Sequence, residues 1–263
     1  MLRTGLALVV LGAMIIVVLV VAIGGPTSHF QYVASGGVKA QALMRAALLL
    51  QSKISGSRAN TYDQSDPFMQ QMVIPYWKQS CQNPDGTLCD LAKPGNLNCV
   101  EFVTAVFALT SDPLPVHPDA ETFWTTYQHR AGWLEIPSPS SFPGSARVAP
   151  QLGDMMVWKG GRHTEQQADG RIVPVEYGHI AIIVSFFPPS VGEDGFLEVA
   201  QANAPGNKWG PGATDRPGNT YTMVMHPDYT ISTWGSGLDT KTSPPTMYGA
   251  YSVLGFIRQV TSS

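Results

Sequence analysis

The sequence predicts an α+β domain, with N-terminal helices packed on a small antiparallel sheet of about five strands, behind an N-terminal transmembrane helix. Three observations carry that prediction. Up to Ala131 the apolar residues recur at the three-to-four spacing of amphipathic helices, whereas from Gly153 they fall into short runs that suit strands. Helices first and strands after give an α+β rather than an alternating order, and the 26 Gly and 21 Pro supply the turns that an antiparallel sheet requires. Ahead of both, Gly5 to Ile23 is a run without a charge, close to the roughly 20 residues needed to cross a bilayer.

Arg3 and the amino terminus hold the start of that run in the cytoplasm, which sends everything after Gly24 outside. The run exceeds the apolar core of about 7 to 15 residues found in cleaved signal peptides, so it reads as an uncleaved membrane anchor. The alternative is a signal peptide cut after Ala22, Ile23 and Gly24, giving a secreted protein; either way the remainder is extracytoplasmic. The chain divides into 1–25 as anchor, 26–66 as a tether carrying an amphipathic helix, and 67–263 as the main domain. A formal net charge of -3 gives no reason to expect a nucleic-acid partner.

Within the tether, Val38 to Lys53 sets Leu43, Ala46, Ala47 and Leu50 along one face, which predicts a helix packed on the domain or serving as a stalk. Ser57 to Asp66 is polar and linker-like. Pro67 to Gln79 predicts a second helix carrying Met69, Met72, Val73, Ile74, Tyr76 and Trp77 into the core. Cys81 and Cys89 then bracket Asn83-Pro84-Asp85-Gly86, a turn that brings their sulfurs together as a local disulfide in an exported protein. A zinc site drawing on all three cysteines is the alternative, although no Cys-x-x-Cys spacing is present and the nearest histidine, His117, follows a Pro-rich loop.

Asn96 to Thr110 predicts the central helix, capped by Gly95 to Asn98 and apolar nearly all round through Val100, Val103, Ala105, Val106, Phe107 and Leu109. Asp119 to Ala131 predicts a short helix that buries Phe123, Trp124 and Tyr127, with His129 near its end. The Ser/Pro-rich stretch from there to Pro150 should wrap over the surface. Strands are expected at Asp154–Trp158, His179–Phe186, Phe196–Asn203, Tyr221–Met225 and Val253–Val260. Between the first two, Gly160 to Gly170 reads as a polar hairpin loop and Arg171 to Tyr177 as an extended segment.

Cys99 stands in the first turn of the central helix, beside unpaired N–H groups and the positive end of the helix dipole, both of which favour thiolate. As the odd thiol of an exported chain it reads as a reactive group or an intermolecular bridge, with a buried structural cysteine as the alternative. His179 opens a strand behind Gly178, where its ring reaches the rim of the sheet. On the following strand Leu197, Val199, Gln201 and Asn203 share a face. Two amides on a buried sheet face need a hydrogen-bond partner, and an imidazole supplies one. Cysteine, histidine and a polar orienter in this order are the nucleophile, base and positioning group of papain-like catalysis.

Five motifs follow one another along the chain: Asn98-Cys99-Val100-Glu101-Phe102-Val103, Leu152-Gly153-Asp154 through Trp158, Gly178-His179-Ile180-Ala181-Ile182-Ile183-Val184, Glu198 through Asn203, and Leu254-Gly255-Phe256-Ile257-Arg258. From about Pro67 to Arg258 the chain resembles the CHAP domains, the cysteine, histidine-dependent amidohydrolases/peptidases of the NlpC-like papain fold. The resemblance implies Cys99 as nucleophile, His179 as base and Asn203 as part of the closing Glu-x-Asn motif. Here Gln201 replaces the glutamate. An amide orients the imidazole but does not stabilise imidazolium as an anion does, so the thiolate/imidazolium pair should be less populated near neutral pH. Asn98 stands where the family often has Gln, and with the Cys99 N–H it would contribute to an oxyanion hole. Asp154 belongs to the family's Gly-Asp pair and reads as structural.

The implied activity is that of an extracytoplasmic cysteine amidase or endopeptidase that cleaves peptidoglycan, at the muramic acid–L-alanine bond or at a peptide bond, through a Cys99 thioester. No residue pattern calls for a metal or a cofactor. Trp124, Trp133, Trp158, Trp209 and Trp234 read as core residues, with a substrate groove as the alternative. Two further readings stand beside the hydrolase: a non-catalytic domain that binds cell wall or a partner, motivated by Gln201, and acyl transfer by the same thiol.

Overall fold

The computed structural model describes residues 37–55, 60–75, 95–114, 120–160, 162–166, 170–176, 178–202, 221–231, 237–239, 246–248 and 252–260. The segment Gly5 to Ile23 lies outside these residues, as do Cys81, Cys89, His117, Asn203, Trp209 and Trp234. Among the described residues no helix is long and apolar enough to cross a membrane.

Among the described residues four helical elements precede or interrupt the strands: α1 (Val38–Gln51), α2 (the π-helical Met69–Val73), α3 (Cys99–Leu109) and α4 (Ala120–Tyr127). Short strand β2 (Thr61–Tyr62), in the stretch read as a linker, pairs with β1 (Ile54–Ser55) just before that stretch. The main sheet contains β3 (Trp133–Pro137), β4 (Met155–Lys159), β7 (His179–Phe187), β8 (Gly195–Ala200), β9 (Tyr221–Met225) and β12 (Ser252–Gln259). Its order is β3-β12-β4-β7-β8-β9 and every neighbouring pair is antiparallel. Two further hairpins stand apart from it: β5 (Arg162–Gln166) with β6 (Ile172–Glu176), and β10 (Gly237–Asp239) with β11 (Thr246–Tyr248).

The α+β class is thus present, with six strands in the main sheet where about five were expected. The sixth is β3, inside the stretch expected to wrap over the surface. Only Ile136 of β3 is buried while Leu134 faces out. So short an edge strand has too little apolar alternation to be read without its partner β12. Similarly, the expected Gly160–Gly170 loop contains β5, which the extended segment β6 completes as a ribbon. On α2 the expectation fails at Met72, which is 53% exposed, while Met69 and Val73 are buried. The wider π-helical turn rotates that side chain out of the apolar stripe.

One face of the sheet carries the helices. Leu43, Ala47 and Leu50 of α1, the apolar residues of α3, and Phe123, Trp124 and Tyr127 of α4 share a core with Met155, Val157, Ile180, Ile182, Val184 and Ala200. Side chains alternate across a strand, so Met156, Trp158, Ala181, Ile183, Leu197 and Val199 form a second core on the opposite face, covered by Ala149, Tyr229 and Ile231 from the loops. Helix α3 is buried from Val100 through Phe107 because α1, α2 and β7 all pack against it. Each buried Val or Phe there contributes about 1.5–3 kcal/mol, which outweighs the modest helix propensity of this β-branched and aromatic run.

Candidate active site

Three local structures converge where α3 begins and β7 starts. The first is the cap of α3. Asn98 Oδ1 accepts the Glu101 backbone N–H at 2.8 Å, and Glu101 Oε2 accepts the Asn98 N–H at 2.7 Å, a reciprocal capping box that places Cys99 as the first helical residue. The expected N-terminal cap is present. The Glu101 N–H occupies the Asn98 side-chain oxygen, and the Asn98 amide nitrogen stays outside the cap.

The backbone N–H groups of Ile180, Val100 and Cys99 itself lie close enough to the Cys99 sulfur to favour its anion. The contact with Ile180 brings the thiol against the first turn of chain after His179. These donors favour thiolate, as the sequence suggested, but they do not prevail. Burial pushes the thiol up to about 11, and the nearby Glu101 carboxylate acts in the same direction. Cys99 is a free thiol and half-buried as a residue.

Glu101 is buried at 2% exposure, and burial pushes its carboxyl up to about 7 despite the Asn98 N–H that favours the anion. Its second oxygen, Oε1, has no hydrogen-bond partner among the described residues. Spacing alone offered a signal for this residue, since Asn98-x-x-Glu101 has the form of a capping box.

The second structure is the entry to β7. His179 is cross-strand from Trp158, their rings 5.3 Å apart, and both side chains lie on the face of the second core. Gly178 makes this entry possible, because a Cβ there would stand 2.7 Å from the Trp158 carbonyl oxygen. His179 is 4% exposed.

The third structure is the end of β8, where Gln201 follows Ala200. Gln201 Oε1 lies 2.8 Å from His179 Nε2. A carbonyl oxygen only accepts, so Nε2 carries the proton, and in the neutral ring Nδ1 is the basic nitrogen. The alternation that paired Gln201 with the histidine in sequence therefore holds in space. What sequence reading missed is Gln51, at the end of α1, whose Oε1 accepts the Gln201 backbone N–H at 2.6 Å. The signal was available: Gln51 follows Ala47 by four residues and so interrupts an apolar helical stripe.

Asp154 is remote from this chemistry in role. Its carboxylate accepts Arg258 Nε at 3.0 Å and Nη2 at 2.8 Å, together with the Gln151 N–H at 2.8 Å, tying the loop before β4 to β12. Among the tryptophans expected as core or groove, Trp158 and Trp124 are buried and Trp133 packs between Tyr127 and Phe107 at 4.4 and 5.8 Å. Among the described residues no group of three or more His, Cys, Asp or Glu side chains could hold a metal ion.

The described residues thus place a half-buried thiol at the N-terminus of α3, near the Ile180 N–H, and next to Ile180 in sequence a buried histidine whose Nε2 is held by the Gln201 amide. No family model matches the chain, and the comparison with curated proteins yields no match.

Proposed function

We propose that this chain is a papain-like cysteine hydrolase of the CHAP type, membrane-anchored through residues 5–23 and acting outside the membrane on amide bonds of peptidoglycan. The observation that carries the reading is the buried His179–Gln201 hydrogen bond of 2.8 Å, next in sequence to the N–H that touches the Cys99 sulfur. A histidine fixed in the Nε2–H tautomer carries its lone pair on Nδ1, which is the protonation state a general base needs.

Because the thiol is pushed up and its orienting partner is neutral, the resting pair is thiol and imidazole rather than thiolate and imidazolium. Proton transfer then accompanies attack. Sulfur adds to the amide carbonyl as Nδ1 of His179 takes the thiol proton. The oxyanion is met by the Cys99 N–H and the Asn98 amide nitrogen. The C–N bond breaks as the imidazolium returns its proton to the leaving amine, giving a thioester. Water, deprotonated by His179, attacks the thioester and releases carboxylate, and the proton restores the thiol.

The test uses the full-length chain, wild type beside Cys99→Ala and His179→Ala, incubated with purified peptidoglycan while released fragments are followed by mass spectrometry. Release by wild type and its loss in both variants is the expected result, and the fragment masses identify the bond. Amine-dependent products in place of hydrolysis would reassign the thiol to acyl transfer. The second reading, a binding domain that keeps the fold, is favoured by the raised thiol together with the neutral Gln201; retained wall binding with no release by a folded wild type would establish it over the hydrolase.

A further inference from the structure

On α1 the buried stripe of Leu43, Ala47 and Leu50 is continued by Gln51, a polar side chain only 3% exposed. Its Oε1 accepts the Gln201 N–H, and its Nε2 has no hydrogen-bond partner among the described residues. A buried amide with one end unpaired makes a poor core residue. Met in the same place fills similar space without an orphaned donor. The bond that Gln51 does make lies at the residue holding His179.

That location matters because of where the ladder stops. The last paired residue of β8 against β7 is Ala200, opposite Ile182. Gln201 lies one residue further, where no strand among the described residues pairs with it. Gln51 supplies the missing acceptor from a helix 150 positions away in sequence. A peptide free to rotate there would swing the Gln201 side chain away from the imidazole.

We infer that Gln51 is a positioning residue of the Cys99–His179 site. It fixes the backbone of Gln201, so that the Gln201 amide oxygen holds His179 in the Nε2–H tautomer with Nδ1 as the base. The inference rests on the reading of His179 as base, and it makes helix α1 a part of the catalytic arrangement rather than a stalk beside it.

The experiment compares full-length wild type, Gln51→Met, Gln201→Ala and the double variant. Imidazole nitrogen NMR of protein labelled at histidine reports the tautomer of His179, assigned with His179→Ala, and peptidoglycan release reports kcat and KM. Wild type is expected to show the Nε2–H tautomer alone. Gln51→Met should mix the two tautomers and lower kcat by about tenfold to a hundredfold with KM within about twofold, as expected for a displaced catalytic group. In the Gln201→Ala background the loss of Gln51 should change neither readout, because both residues act through one chain of contacts. Gln51→Asn, which withdraws the oxygen by one methylene, should behave like Gln51→Met and carries the test if the latter loses its thermal unfolding transition.

A folded Gln51→Met or Gln51→Asn with the wild-type tautomer and kcat overturns the inference. So does a further drop in kcat when Gln51 is changed in the Gln201→Ala background. Should wild type release no fragments, the hydrolase reading fails by itself, and the tautomer measurement still decides the role of Gln51.

Discussion

At the scale of single residues, the N-terminus of α3 sets two opposed influences on one another. Its N–H groups attract negative charge, yet burial of Cys99 and Glu101 raises both groups, and the two anions repel. Glu101 has the clearer consequence for stability. Its folded-state value near 7 lies above its ordinary 4.5, so between these values the folded protein binds more protons than the unfolded chain. Stability is therefore greatest below the ordinary value and falls as pH rises through that window, by on the order of 3 kcal/mol, levelling above about pH 7. Urea unfolding at pH 5 and pH 8 should show this slope, and Glu101→Gln, which preserves the capping box, should flatten it. Equal slopes in the two proteins would show that another group is responsible.

At the scale of elements, α1 is the piece whose role composition understated. It was legible as an amphipathic helix, but whether it stood off as a stalk depended on a surface for its stripe, and that surface is made by α3, β7 and β8. Its polar side is held as well: Lys39 binds Asp112 at 2.5 Å just beyond α3, and Gln259 of β12 donates to the same carboxylate. Removing residues 1–55 would uncover the surfaces of α3, β7 and β8 on which α1 packs and remove the acceptor of the Gln201 N–H. The expected outcome is a chain that aggregates or elutes as an expanded species by size-exclusion chromatography, where the full-length protein is compact. A well-folded truncated domain with an intact thermal transition would show that α1 is dispensable to the core.

At the scale of the whole sheet, the loop before β4 is tied to β12 by Asp154 and Arg258. The carboxylate is 2% exposed and receives both guanidinium bonds, while Arg258 Nη2 also donates to the Ala149 carbonyl at 2.9 Å. Breaking such a pair leaves a buried charge without its partner. Arg258→Met is therefore expected to lower the unfolding free energy by about 3–5 kcal/mol, measured from the denaturant midpoint. Pairing it with Asp154→Asn should recover part of that loss, since the buried charge then disappears with its partner. A double variant no more stable than Arg258→Met would place the cost in packing of the arginine stem instead.

Amino-acid order alone determined the class of the fold, the core of α3 and its cap, the five expected strands of the main sheet and the His179–Gln201 pairing. Each of these rests on local periodicity or on short-range order: a 3.6-residue apolar pattern, a polar lead-in before an apolar helix, or a two-residue alternation that sends Gln201 to the face of its neighbours Val199 and Leu197. Tertiary structure decided what depends on distant partners. Strand β3 exists because β12 offers it an edge, Gln51 matters because β8 stops one residue short of Gln201, and the Cys99 thiol is raised because the packing around it removes water faster than three N–H groups can compensate. Desolvation and long-range pairing are properties of the assembled core, and no window of sequence contains them.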